Sequence, residues 1–150
     1  MSGILTGKEV MSSPERTIRM GANVIDAVKK MNKFEIGCLV VVEGRRPVGI
    51  ITDKDVLRKV VESLADPSLT KVQEIISTPL KVVPEDFSVE RLAQVMVRYR
   101  IKKLPVVRDG RLVGVATQTD LVKSTPALVS LIDELSQSKI VPREANQMYP

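Results

Sequence analysis

Short apolar runs alternate along this chain with stretches whose apolar residues recur at three- and four-residue spacing. Residues 4–11 read as a brief amphipathic lead-in with Thr6 as its cap, ended by Pro14. Residues 16–18 predict a short strand. Asn23 then caps a helix in which Val24, Ala27, Val28, Met31 and Phe34 share one face, and the pattern stops near Gly37. Apolar runs at 39–42 and 48–51 flank a polar turn at Gly44, which predicts a hairpin. A second helix, from residue 53 to about 65, sets Val56, Leu57, Val60, Val61 and Leu64 on one side before Asp66 and Pro67 end it.

The same order then recurs. Leu69 and Thr70 echo Leu5 and Thr6, and residues 81–83 stand for 16–18. Ser88 stands where Asn23 stood, before a helix carrying Val89, Leu92, Ala93, Met96 and Tyr99. Residues 104–107 and 112–116 make the second hairpin around Asp109 and Gly110. Residues 10–58 align without a gap on 75–123, with Val24/Val89, Met31/Met96, Leu39/Leu104 and Gly49/Gly114 identical. Two copies of strand, helix, strand, strand, helix predict an α+β (mixed α/β) fold in which two pseudo-symmetric β-α-β-β-α halves pack sheet to sheet. The division along the chain is 1–66 for the first repeat with its lead-in and 67–125 for the second. Residues 126–150 are read as a C-terminal helix and tail, with Ala127, Leu128, Leu131, Ile132 and Leu135 as its apolar stripe.

The second strand of each hairpin runs into the helix that follows through one motif, GIITDKD at residues 49–55 and GVATQTD at 114–120. A strand end, a threonine and an aspartate three positions on can hold a ribose and a phosphate, since they supply backbone groups, a hydroxyl and carboxylate acceptors at a helix start. Local structure also accounts for the pattern, because Thr52 with Asp55 and Thr117 with Asp120 each fit a capping box. Gly49 and Gly114 suit close backbone packing. The duplication favours a shared functional role over chance.

Composition narrows the chemistry. The 150 residues include one cysteine and no histidine, so an internal disulfide and the usual zinc, haem and histidine-base arrangements are excluded. No metal site and no catalytic residue is expected, and neither a G-x-G fingerprint nor a G-x-x-x-x-G-K-[ST] loop occurs. Cys38 beside an apolar run reads as an inert thiol. With 43% hydrophobic and 27% charged residues, no apolar run of spanning length and no signal-like start, the reading is a cytoplasmic protein without membrane contact. A net charge of +5 favours anionic partners, while 3% aromatics argue against a base-stacking nucleic-acid platform.

Paired G-h-h-T-x-x-D motifs, each preceded by a short apolar strand such as LPVV at residues 104–107, resemble cystathionine β-synthase (CBS) domains, whose tandem pair is called a Bateman module. The resemblance covers roughly residues 4–125. It implies two small three-stranded sheets packed around a pseudo-twofold axis, a homodimer, and a regulatory rather than catalytic role. It also implies clefts for AMP, ADP or ATP, with S-adenosylmethionine as a further candidate, and an effector protein that reads their occupancy.

By that resemblance the sites are assembled crosswise. The first would use Thr52 and Asp55 with Lys81, Val82, Val83, Ile101, Lys102 and Lys103. The second would use Thr117 and Asp120 with Arg16, Thr17, Ile18, Ile36, Gly37 and Cys38. Each aspartate would accept from ribose hydroxyls, the threonine and basic groups would meet phosphate, and apolar residues would flank adenine. Lys102 and Lys103 stand where the other copy has Gly37 and Cys38, so the first site suits more phosphate, with Asp53 opposing. The plainer account of the two lysines is a solvated face continuing Arg98 and Arg100. The competing functions are an interaction and dimerisation scaffold with unoccupied clefts, motivated by the stripe at 127–135, and a nucleic-acid-associated regulator, suggested by charge alone.

Overall fold

The computed structural model describes residues 5–12, 16–76 and 80–124. The helix and tail expected in 126–150, with Ile4 and Pro14, lie outside the described residues. The first repeat comprises β1 (Thr17–Arg19), α2 (Val24–Phe34), β2 (Cys38–Glu43), β3 (Arg46–Thr52) and α3 (Asp53–Val56), after a lead-in helix α1 (Gly7–Val10). The second comprises β4 (Val83–Pro84), α4 (Val89–Tyr99), β5 (Lys103–Arg108), β6 (Arg111–Thr117) and α5 (Gln118–Lys123), after a 3₁₀ turn at Val72–Glu74. Each repeat forms its own sheet, in the orders β1-β2-β3 and β4-β5-β6. The first pair in each is parallel and the second antiparallel, so α2 and α4 are the crossovers that parallel pairing requires.

The repeat extends to irregular details. Both hairpins close through two-residue loops, with Gly44 at φ 65° in one and Asp109 and Gly110 at 53° and 77° in the other. These are the left-handed conformations that match strand twist, and they explain glycine in both turns. Register slips between Val41 and Val42, and again between Val106 and Val107. The helices α2 and α4 end in left-handed Glu35 and Arg100, and Ile36 and Ile101 then donate back to Met31 and Met96 at 3.0 Å, a Schellman-type stop made without glycine.

Two cores result. Val24, Ala27, Met31, Leu39, Val41, Ile51 and Val60 centre the first, and Val83, Leu92, Met96, Leu104, Val106, Ala116 and Leu121 the second. Between the sheets lies a third buried cluster, Val40 and Val42 from β2 against Leu112 and Val115 from β6. The expected sheet-to-sheet packing of two pseudo-symmetric halves is therefore present.

The lead-ins are exchanged between halves. Gly7 and Lys8 donate to Phe87 and Glu85 at 2.9 and 3.0 Å, and Val10 and Met11 pack on the second core. Val72 and Ile75 are buried in the first core, where Val72 donates to Ala22 at 2.8 Å. This exchange changes how α2 begins. The Asn23 side chain makes no capping bond; the carbonyls of Thr70 and Pro67 accept from Val24 and Ile25 at 2.8 and 2.9 Å. On α4 the expected cap is made, with Ser88 Oγ accepting from the Arg91 amide at 3.2 Å.

The helix expected over 53–65 is shorter and changes pitch, since α3 widens into a π-helical turn over Leu57–Val61. Val60 is buried in that turn, whereas Leu57, Val61 and Leu64, expected on the buried side, are exposed. Tyr99 is likewise exposed, with the Lys81 ammonium 4.1 Å from its ring centre.

Candidate functional site

Both T-x-x-D motifs form complete capping boxes. Asp55 accepts from the Thr52 amide at 2.9 Å and its hydroxyl at 3.0 Å, while Thr52 Oγ1 accepts from the Asp55 amide at 3.1 Å. Asp120 accepts from the Thr117 amide at 2.9 Å, and Thr117 Oγ1 from the Asp120 amide at 3.0 Å. Asp55 is buried and also pairs with Lys59 at 3.5 Å. The local account of the motif is thus realised at both positions, and any ligand role is additional to it.

The sheets nevertheless leave a cleft where β2 and β5 begin and β3 ends. Its volume is about 690 Å³, within the range of small-molecule sites. Thr52, Lys81, Ile101, Lys102 and Lys103 of the first expected set line it. Asp55 is not on its wall, being turned into the capping box, and neither are Val82 and Val83. Val83 is buried in the second core and Val82 is exposed. Of the second expected set, Gly37 and Cys38 also line this cleft.

The remaining second-set residues gather less well. Arg16, Ile36, Cys38 and Thr117 surround a cavity of only about 50 Å³, together with Ser12, Val40, Ile50, Lys103 and Val115. Thr17 and Ile18 are not on its wall; Ile18 packs on the first core, and the Thr17 carbonyl accepts from Lys30 at 2.5 Å. Asp120, like Asp55, is occupied in its capping box.

Sequence reasoning left out Ile50, Lys54, Leu80 and Arg100 as lining residues of the large cleft. Lys54 follows Thr52 and Asp53, and Arg100 precedes Ile101, so adjacency to the motif was the available signal. Gly37 and Cys38 were assigned by strict equivalence to the other cleft, and equivalence does not register that the two cavities share a wall of Cys38, Ile50 and Lys103.

The large cleft is asymmetric in charge. Lys54, Lys81, Arg100, Lys102 and Lys103 bring five cations to it, against Asp53. Asp53 is exposed and folds back on its own loop, where Oδ1 accepts from the Lys54 amide at 2.8 Å. Gly37 faces it closely, since a β-carbon there would lie 3.1 Å from Asp53 Oδ2. Ile50, Leu80 and Ile101 supply apolar wall. The arrangement suits an anionic ligand with a flat apolar part, because cations at one side set orientation while aliphatic faces cover a ring. Among the described residues no group of three His, Cys, Asp or Glu side chains could hold a metal, and no helix is long and apolar enough to cross a membrane.

Residues 8–62 and 72–126 each match the CBS domain family, so the chain belongs to that family and carries two CBS domains in tandem. An uncharacterised protein of Methanocaldococcus jannaschii is 33% identical over 116 residues, which are 75% of this chain and 62% of that protein. The chain therefore spans less than two thirds of that relative's length. Among solved structures, a Burkholderia ambifaria protein with CBS domains, provisionally assigned to signal transduction, superposes with a TM-score of 0.69 at 31% identity, covering 79% of this chain and 92% of that one. A hexameric CBS-CP12 protein from bloom-forming cyanobacteria gives 0.70 at 31% identity, covering 83% and 74%.

Proposed function

We propose that this CBS pair is a non-catalytic regulatory module that senses an adenosine-containing ligand, AMP, ADP or ATP, in the cleft between its repeats. One observation carries the reading: a cleft of about 690 Å³ at the junction of both repeats, with five cationic side chains beside Ile50, Leu80 and Ile101. Adenine lies against the aliphatic residues, and the phosphates meet Lys81, Lys102 and Lys103. Occupancy bridges residues of both halves, so it biases how the halves sit and thereby what an effector protein meets; the size of that bias is the ligand's differential affinity for the two arrangements. The hexameric assembly of the cyanobacterial CBS-CP12 protein, together with exposed Leu57, Val61 and Leu64 here, supports self-association, for which we take a homodimer as the unit.

Thermal unfolding with AMP, ADP, ATP and S-adenosylmethionine in parallel tests the proposal. A ligand at about 100 times its Kd adds about 2.7 kcal/mol of stability, or roughly 5 to 10 °C for a chain of this size. ATP should give the largest shift. Lys102→Glu, which reverses one charge on the wall, should weaken ATP about tenfold while leaving the ligand-free melting temperature unchanged. No shift with any of the four compounds would turn the reading to a scaffold with unoccupied clefts.

A further inference from the structure

The two clefts derive from one repeated unit, yet one has about 690 Å³ and the other about 50 Å³. Small-molecule sites run to roughly 300 to 1,000 Å³, so the smaller cavity has no room for a nucleotide. The register of the hairpins locates the difference. Cys38 is the partner of Thr52 across β2 and β3, and Lys103 is the partner of Thr117 across β5 and β6. Equivalent positions, each facing the threonine of its own T-x-x-D motif, thus carry a short thiol in one copy and a four-carbon stem with an ammonium in the other.

Lys103 is half-buried, and it lines both cavities. Ser12, tied to Val115 by paired backbone bonds of 2.9 and 3.1 Å, also lines the Thr117 cavity. Of the three residues that line both cavities, Cys38, Ile50 and Lys103, Lys103 has the longest side chain. A lysine at such a boundary can lay its aliphatic stem along apolar wall and keep its charged end near solvent.

Resting on the nucleotide reading above, we propose that the chain takes one nucleotide, in the Thr52 cleft, and that Lys103 sets this stoichiometry: its stem closes the Thr117 cleft while its ammonium serves phosphate in the other.

Isothermal titration calorimetry with ATP, on the full chain freed of co-purified nucleotide, tests the proposal in three proteins. The parent should bind one ATP per chain. Lys103→Ala should bind two, with the first-cleft affinity lowered several-fold by loss of the ammonium. Lys103→Met keeps a stem of similar length without the charge, and should bind one ATP, more weakly than the parent. Two ATP per parent chain, one per chain in Lys103→Ala, or two in Lys103→Met would each overturn the proposal while leaving nucleotide sensing in place. Absence of heat in all three, with the proteins folded by circular dichroism, would overturn the sensing function as well.

Discussion

Leu39→Ala and Leu104→Ala should each lower stability by about 3 kcal/mol, and each should shift one and the same unfolding transition, by roughly 6 to 12 °C. The two leucines occupy equivalent positions in β2 and β5, at 1% and 0% exposure, one in each core. Removing either leaves a cavity in close-packed surroundings, hence the magnitude. The shared transition follows from the exchange of lead-ins. Val72 and Ile75 complete the core of the half that precedes them, and Val10 and Met11 cover the core of the other. The Val40, Val42, Leu112 and Val115 cluster joins the sheets between them. Neither half keeps its full core when the other unfolds, so calorimetry should show a single peak in the parent and in both variants. A peak that splits, with each variant moving only one component, would show the halves to be independent.

Gly114→Ala should cost about 2 to 3 kcal/mol, more than the removal of an ordinary surface group. A β-carbon at Gly114 would meet the Met11 sulfur and lie 2.7 Å from both Met11 Cγ and the Ser12 carbonyl oxygen. The methionine side chain can turn aside, but the carbonyl accepts from Val115 at 3.1 Å and cannot retreat without giving up that bond. Overpacking and the lost hydrogen bond together set the size of the effect. Gly21→Ala is the control, since nothing lies within 4 Å of its added β-carbon, and it should change stability by less than about 0.5 kcal/mol. Urea unfolding of the two variants beside the parent checks both values. Equal midpoints for Gly114→Ala and the parent would mean that the Met11–Ser12 segment does not lie on β6.

The same glycine shows what the sequence could and could not disclose. The repeat, the strand and helix order and the hairpins were legible because both copies obey the same periodicities, and a pattern seen twice at a 65-residue offset resists chance. Close packing at Gly114 was also legible as a need for space. What fills that space was not, because the lead-in that crosses β6 comes from over 100 residues away in the chain. The failed cap at Asn23 has the same origin: local propensity named the residue, but Thr70 and Pro67 from the next lead-in provide the acceptors. Leu57, Val61 and Leu64 obey helical spacing and yet face outward, since a π-helical turn alters which residues share a face.

In the candidate site, single residues next to the motif were easier to place than whole clefts. Thr52, Lys81 and residues 101–103 line one cleft, because each sits at or within two residues of a strand end that the sheet packing brings together. Asp55 is held in its capping box by three bonds with Thr52, and a motif that serves folding and ligand alike looks the same in sequence. The unequal cleft volumes were not legible, because the two T-x-x-D motifs look alike in sequence while their surroundings differ in the fold.

The most direct test of nucleotide sensing is an amide-detected NMR titration of the intact chain with ATP. The account predicts saturable shifts concentrated at Gly37, Cys38, Thr52, Lys81, Ile101 and Lys102, the backbone around the large cleft, with Gly44 and Gly110 at the far hairpin turns unmoved. Saturable shifts centred elsewhere, or none at millimolar ATP, would contradict it.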